Sequence, residues 1–79
     1  MTRTFSIWKA WAAMRLTALA AKYKDDPKAL ETLNMLISKL KTLRSRDLAV
    51  FIVQLHYAAA TVPEIRDLLP SEEEVFSWL

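Results

Sequence analysis

The chain has 79 residues, 53% of them apolar, and contains neither cysteine nor glycine. Without cysteine there are no disulfides or thiolate metal sites, and without glycine there is no phosphate-cradling loop and little scope for tight hairpins. Eleven bases against nine acids leave a net charge of +2, which by itself marks neither a nucleic-acid coat nor an acidic tail.

These bounds predict an all-α fold, a small helical bundle of three main helices plus one or two short C-terminal helices. Residues 1–79 are read as a single helical domain, the most that a chain of this length builds. The absence of cysteine fits a reducing compartment, and no secretory pattern opens the sequence, so a cytoplasmic location is expected.

The first helix is predicted from Thr4 or Ser6, either of which is a good cap, to about Lys24. At about 100° per residue, Lys9, Ala13, Thr17, Ala20 and Lys24 fall together as the expected solvent face. Phe5, Trp8, Ala12, Leu16, Leu19 and Tyr23 form one apolar flank, and Ile7, Ala10, Met14, Ala18 and Ala21 form another. Between the flanks lies a seam of Trp11, Arg15 and Lys22, with Trp8 alongside. Long basic side chains can simply rest their methylenes on apolar surface there. Trp and Arg are also the residues most enriched at interface anchors, so the seam is read as a partner-binding surface.

Asp26 before Pro27 marks the start of the second helix, with a capping carboxylate followed by an imino acid at the first helical position. Ala29, Leu30, Leu33, Leu36, Ile37, Leu40 and Leu43 make one apolar stripe opposite Lys28, Glu31, Ser38 and Thr42. A break is expected near Ser45, with Ser45 as the cap. The third helix, from about Arg46 to Ala60, shows no polar face. That pattern predicts burial on every side, at the centre of the fold or in an oligomer interface. Its apolar run, residues 48–62, falls short of the roughly 20 residues of a membrane span, so no stable membrane insertion is expected.

Thr61 and Glu64 have capping-box spacing around Pro63, and Pro70 ends the short helix they would begin. Ser71 and Glu74 have the same spacing, with three glutamates where a helix dipole favours them. Charge is divided along the chain. Residues 1–24 hold five bases and no acids, whereas residues 48–79 hold one base and five acids. The acidic segment SEEEVFSWL is therefore a natural occupant for the cationic seam, within one chain or between two.

No constellation of nucleophile, histidine and acid suggests itself, so no enzyme activity, metal or cofactor is expected. His56, the one histidine, is read as a packed core residue. The expected function is non-enzymatic: a protein-binding regulator or inhibitor acting as a small helical homodimer, of the kind a phage or mobile element encodes against a host protein. Trp8, Trp11, Arg15 and Lys22 are the expected anchors, with Arg44 and Arg46 steering. The alternative is nucleic-acid binding through the basic cluster Lys39, Lys41, Arg44 and Arg46. Against it, a helix-turn-helix over residues 27–60 would offer a nearly wholly apolar reading helix.

Overall fold

A computed structural model describes residues 2–79, which form four α-helices and two 3-10 segments. In chain order these are α1 (Phe5–Lys22), α2 (Pro27–Lys41), a 3-10 turn (Ser45–Asp47), α3 (Leu48–Ala58), a second 3-10 helix (Pro63–Leu68) and α4 (Glu72–Trp78). There is no strand among the described residues. The fold is all-α, and no helix in it is long and apolar enough to cross a membrane.

Local chemistry explains most boundaries. Thr4 Oγ1 accepts from the Ile7 N–H at 3.2 Å, and Asp26 Oδ1 accepts from the Ala29 N–H at 3.2 Å. Each satisfies an otherwise orphaned helix donor. Ser71 and Glu74 form a complete capping box. The break between α2 and α3 lies where it was expected, but Ser45 does not cap it, and the 3-10 turn begins without a side-chain cap. The Thr61–Glu64 box does not form either. The N-cap position falls on Val62, whose side chain has no acceptor, and the Glu64 carboxylate bonds Lys22 and Tyr23.

Four apolar faces meet in one core. Trp8, Ala12, Leu16 and Leu19 come from α1, Leu33, Leu36 and Leu40 from α2, Leu48, Phe51 and Leu55 from α3, and Ile65 and Leu68 from the second 3-10 helix together with Val62 just before it. The helix pair α1 and α2 forms the base. The 3-10 helix and α4 then run back along α1, from Glu64 beside Lys22, past Leu68 at Trp8, to Glu74 at Arg3. The molecule measures 38 × 21 × 19 Å. That narrow section buries only one side of each long helix.

Two expectations are corrected here. Of the expected solvent face, Thr17 and Lys24 are exposed but Lys9, Ala13 and Ala20 are half-buried; Ile7, Ala10, Met14, Ala18 and Ala21 are exposed instead. Of the two apolar flanks, the one holding Trp8, Leu16 and Leu19 carries far more area and takes the core, since one large aromatic alone buries about 150–250 Å². The flank of alanines is left outside. Likewise α3 is not buried all round. Leu48, Phe51, Leu55 and Ala58 face the core, while Ala49, Val50, Val53, His56 and Tyr57 are exposed. His56 is therefore a surface residue and not a packed one.

Every peptide bond among the described residues is trans, and none of those residues has a positive φ. The turns are built from ordinary right-handed and extended backbone, as a chain without glycine requires.

Trp8 is completely buried, and its ring lies 5.5 Å from that of Trp78, tilted by 37°, and 6.3 Å from Phe51, edge-on. Its indole N–H donates to the Leu68 carbonyl at 2.9 Å. Trp8→Ala should cost about 3–5 kcal/mol of unfolding free energy. Trp8→Phe should cost about 1–3 kcal/mol, because the Leu68 carbonyl is left without its buried donor. Denaturant melts of the two variants check both figures.

Candidate protein-binding surfaces

The residues singled out as partner anchors divide among three environments. Trp8 belongs to the core, so it is not available to a partner; its size and its N–H are both used within the fold. Trp11 is half-buried under the Arg3 guanidinium, whose carbon stands 4.7 Å from the ring centroid. Lys22 is exposed but engaged, with its ammonium 2.7 Å from Glu64 Oε2. Arg15, on the same stripe of α1 as Trp8 and Lys22, is exposed and makes no ion pair among the described residues.

Arg44 and Arg46 are exposed in the link between α2 and α3. They are not on the Arg15 side. The neighbouring Leu43 carbonyl accepts from Lys9 Nζ at 2.7 Å, and Lys9 and Arg15 diverge by about 120° around α1. Arg44 and Arg46 group instead with Lys39 and Lys41, all exposed and outside any ion pair among the described residues.

The acidic end of the same chain engages two of the bases, Arg3 and Lys22. The Arg3 guanidinium holds Glu74 through two bonds, Nε to Oε2 at 2.7 Å and Nη2 to Oε1 at 3.0 Å, and the Arg3 backbone N–H adds a third at 3.2 Å. Trp78 Nε1 donates to the Arg3 carbonyl at 3.0 Å, seating α4 on the start of α1. Glu74 is buried. The Arg3 hydrogen bonds outweigh that burial and hold its carboxyl down at about 2. The Arg3 guanidinium is raised in turn by the same bond. At the other end of α1, Glu64 is also lowered to about 2, first by Lys22 and then by the Tyr23 hydroxyl. Lys22 and Tyr23 are both raised, chiefly by their bonds to Glu64. The acidic third of the chain thus docks on α1 in cis.

Several large apolar side chains are open to solvent as well. Val50, Val53 and Tyr57 are 64%, 52% and 79% exposed on the outward side of α3. Ile7 and Met14 are 56% and 71% exposed on the outward side of α1. Two grooves flank the α3 face. One lies against α2, between Met35, Gln54 and Tyr57. The other lies against α4, between Ile52, His56, Val75 and Phe76. A lone Val or Met on a surface is unremarkable, but several at helical spacing on an uncharged face indicate a covered surface. Sequence periodicity alone missed which flanks these would be, although the lack of any charge between Leu48 and Pro63 was the available signal. Among the described residues, no three His, Cys, Asp or Glu side chains gather into a group able to hold a metal.

The Arg3–Glu74 pair carries a pH signature. A carboxyl lowered in the folded state stabilises above its unfolded value and loses that contribution as pH falls through the folded one. Stability should therefore decline between about pH 4.5 and 2. Arg3→Ala should cost on the order of 2 kcal/mol near neutral pH and remove the Glu74 share of that decline, leaving the share of Glu64. Thermal melts across the acid range check both. Compared with known proteins, the chain matches no family model, no curated protein and no solved structure.

Proposed function

We propose that this chain is a non-enzymatic protein-binding regulator that acts as a homodimer, its copies joined through the outward face of α3. The observation that carries the reading is the exposure of Val50, Val53 and Tyr57 on a helix with no Lys, Arg, Asp or Glu. An apolar helix face with no charge on it favours another apolar face over water. A second copy brings no charge on α3 itself to that face.

The spacing supports a two-fold arrangement. Positions 50, 53 and 57 follow a three-then-four pattern, the seam of a paired helix. In an antiparallel, isologous pairing, Val53 sits near the axis and Val50 of each copy meets Tyr57 of the other. Opposed helix dipoles favour that orientation. Covering six such side chains yields roughly 6–12 kcal/mol, against an association cost of about 4–15 kcal/mol. The two terms are comparable, so the dimer is concentration-dependent, and neighbouring contacts such as Phe76 decide how tight it is.

A second reading has its own observation. Lys39, Lys41, Arg44 and Arg46 are close in the chain, exposed and outside any ion pair among the described residues, which suits phosphate contacts. The outward face of α3, however, presents no Arg, Lys or Asn to base edges. Any such binding is to backbone phosphate and weakens steeply with salt.

Sedimentation velocity over a wide concentration range tests the main reading. The native chain should shift from monomer to dimer, and Val53→Glu should stay monomeric. Its melting should change by no more than about 0.5 kcal/mol, since the position is on the surface. A native chain that stays monomeric throughout, or a Val53→Glu chain that dimerises equally well, refutes the α3 interface. Binding to duplex DNA that survives Val53→Glu but is lost on Arg44→Ala with Arg46→Ala supports the second reading.

A further inference from the structure

The outward face of α1 differs from that of α3 in its electrical surroundings. Ile7, Ala10, Met14, Thr17 and Ala21 recur at alternating spacings of three and four, so they form one continuous strip along the helix. All five are exposed. Thr17 adds no free polar group, because its hydroxyl donates to the Ala13 carbonyl at 2.8 Å. Ala18 and the half-buried Trp11 line one edge of the strip and Ala13 and Ala20 the other. From Ile7 to Ala21 the strip is about 21 Å long.

Beyond the strip, every charge on the helix is positive. Residues 1–24 contain five bases and no acid. Arg15 stands exposed next to the Trp11 edge and has no ion pair among the described residues. A second copy is a poor occupant, since it would bring the same cations face to face. A bilayer is also a poor one. Only Ile7 and Met14 in the strip are large and apolar; burying Ala10 and Ala21 in lipid contributes little, whereas such small side chains let two helix backbones approach closely.

We propose that the outward strip of α1 receives an amphipathic helix of a partner protein, with apolar residues at three-four spacing and acidic residues along its flank beside Arg15. This rests on the protein-binding reading above and names the partner's chemistry. Ile7 and Met14 provide the buried contacts. The alanines set a close interhelical distance. Arg15, with the outer side of Lys22, aligns the acidic flank and speeds encounter. The α3 face and the α1 strip are thus two sites with different occupants: a second copy at the uncharged one, an acidic helix at the cationic one.

The probe is a synthetic amphipathic peptide of about 20 residues, long enough to hold a helix. It carries leucine and alanine on one face and glutamate on the flanks. Its twin carries lysine in place of every glutamate. Each is titrated into the isotopically labelled full chain and followed by amide shifts. The glutamate peptide should bind about tenfold more tightly than its twin, with shifts centred on Ile7, Met14 and Ala18. Met14→Glu should weaken it by about tenfold, and Arg15→Glu should remove most of the preference for glutamate over lysine.

Equal binding of the two peptides, no binding of either, or shifts confined to α3 overturns the proposal. So does binding of the chain to phosphatidylcholine–phosphatidylglycerol vesicles through Ile7 and Met14 when neither peptide binds. Sedimentation of the same samples separates the two readings. Loss of peptide binding with the dimer intact removes only the acidic-helix assignment, while a monomer that still binds the glutamate peptide removes only the α3 pairing.

Discussion

Trp8 ties the helical framework to the segment that follows it. Its ring fills the middle of the core, and its N–H reaches a carbonyl 60 residues further along the chain. α1 and α2 can form and pair from local caps and apolar stripes. The 3-10 helix and α4 have too few residues to stand as helices alone. They are held because Leu68 meets Trp8, Trp78 packs on Trp8 and Phe5, and Glu74 meets Arg3. The outer surfaces follow from this. Once Trp8 takes the core, the rotation of α1 is set, and its alanine flank turns outward.

The same placement sorts the charges. A basic first third and an acidic last third attract each other, and the chain satisfies much of that attraction within itself. Lys22 with Glu64 and Arg3 with Glu74 bracket α1 at its two ends. The long cations among large apolar residues are in this sense docking points for the chain's own C-terminal segment. Arg15, between the brackets, is left over. The uncovered faces of α1 and α3 therefore present different problems to a partner: cations alone share the helix of the first, whereas the second has no charge on its own helix and charges of both signs, Lys39, Asp47 and Glu72, at its borders.

Where structure depends on neighbours a few residues apart, the sequence was readable. The Asp26–Pro27 start of α2, the Ser71–Glu74 box and the apolar stripe from Ala29 to Leu43 all stand as their spacing predicts. The orientation of α1 was not readable from spacing, because the helix has two apolar flanks of similar length and only their bulk separates them. Glu64 looked like half of a capping box, but the helix begins one residue later than Thr61 would cap it, and the carboxylate bonds Lys22, 42 residues away. The absence of a polar face on α3 suggested complete burial. A molecule this narrow has too few other helices to surround it, so half of that surface stays uncovered. The anchor set was legible in composition but not in placement. Trp8 and Arg15 lie one turn-pair apart on a single stripe, yet one is sealed in the core and the other stands in water.

The absence of any left-handed backbone position has a consequence for how this sequence is free to vary. In most small domains a few glycines are irreplaceable because no other residue tolerates their torsion angles. Here no described residue is fixed in that way. Apart from the three prolines, identity is imposed by what a side chain fills or binds, so an alanine scan of the other positions would report side-chain roles with little interference from backbone geometry.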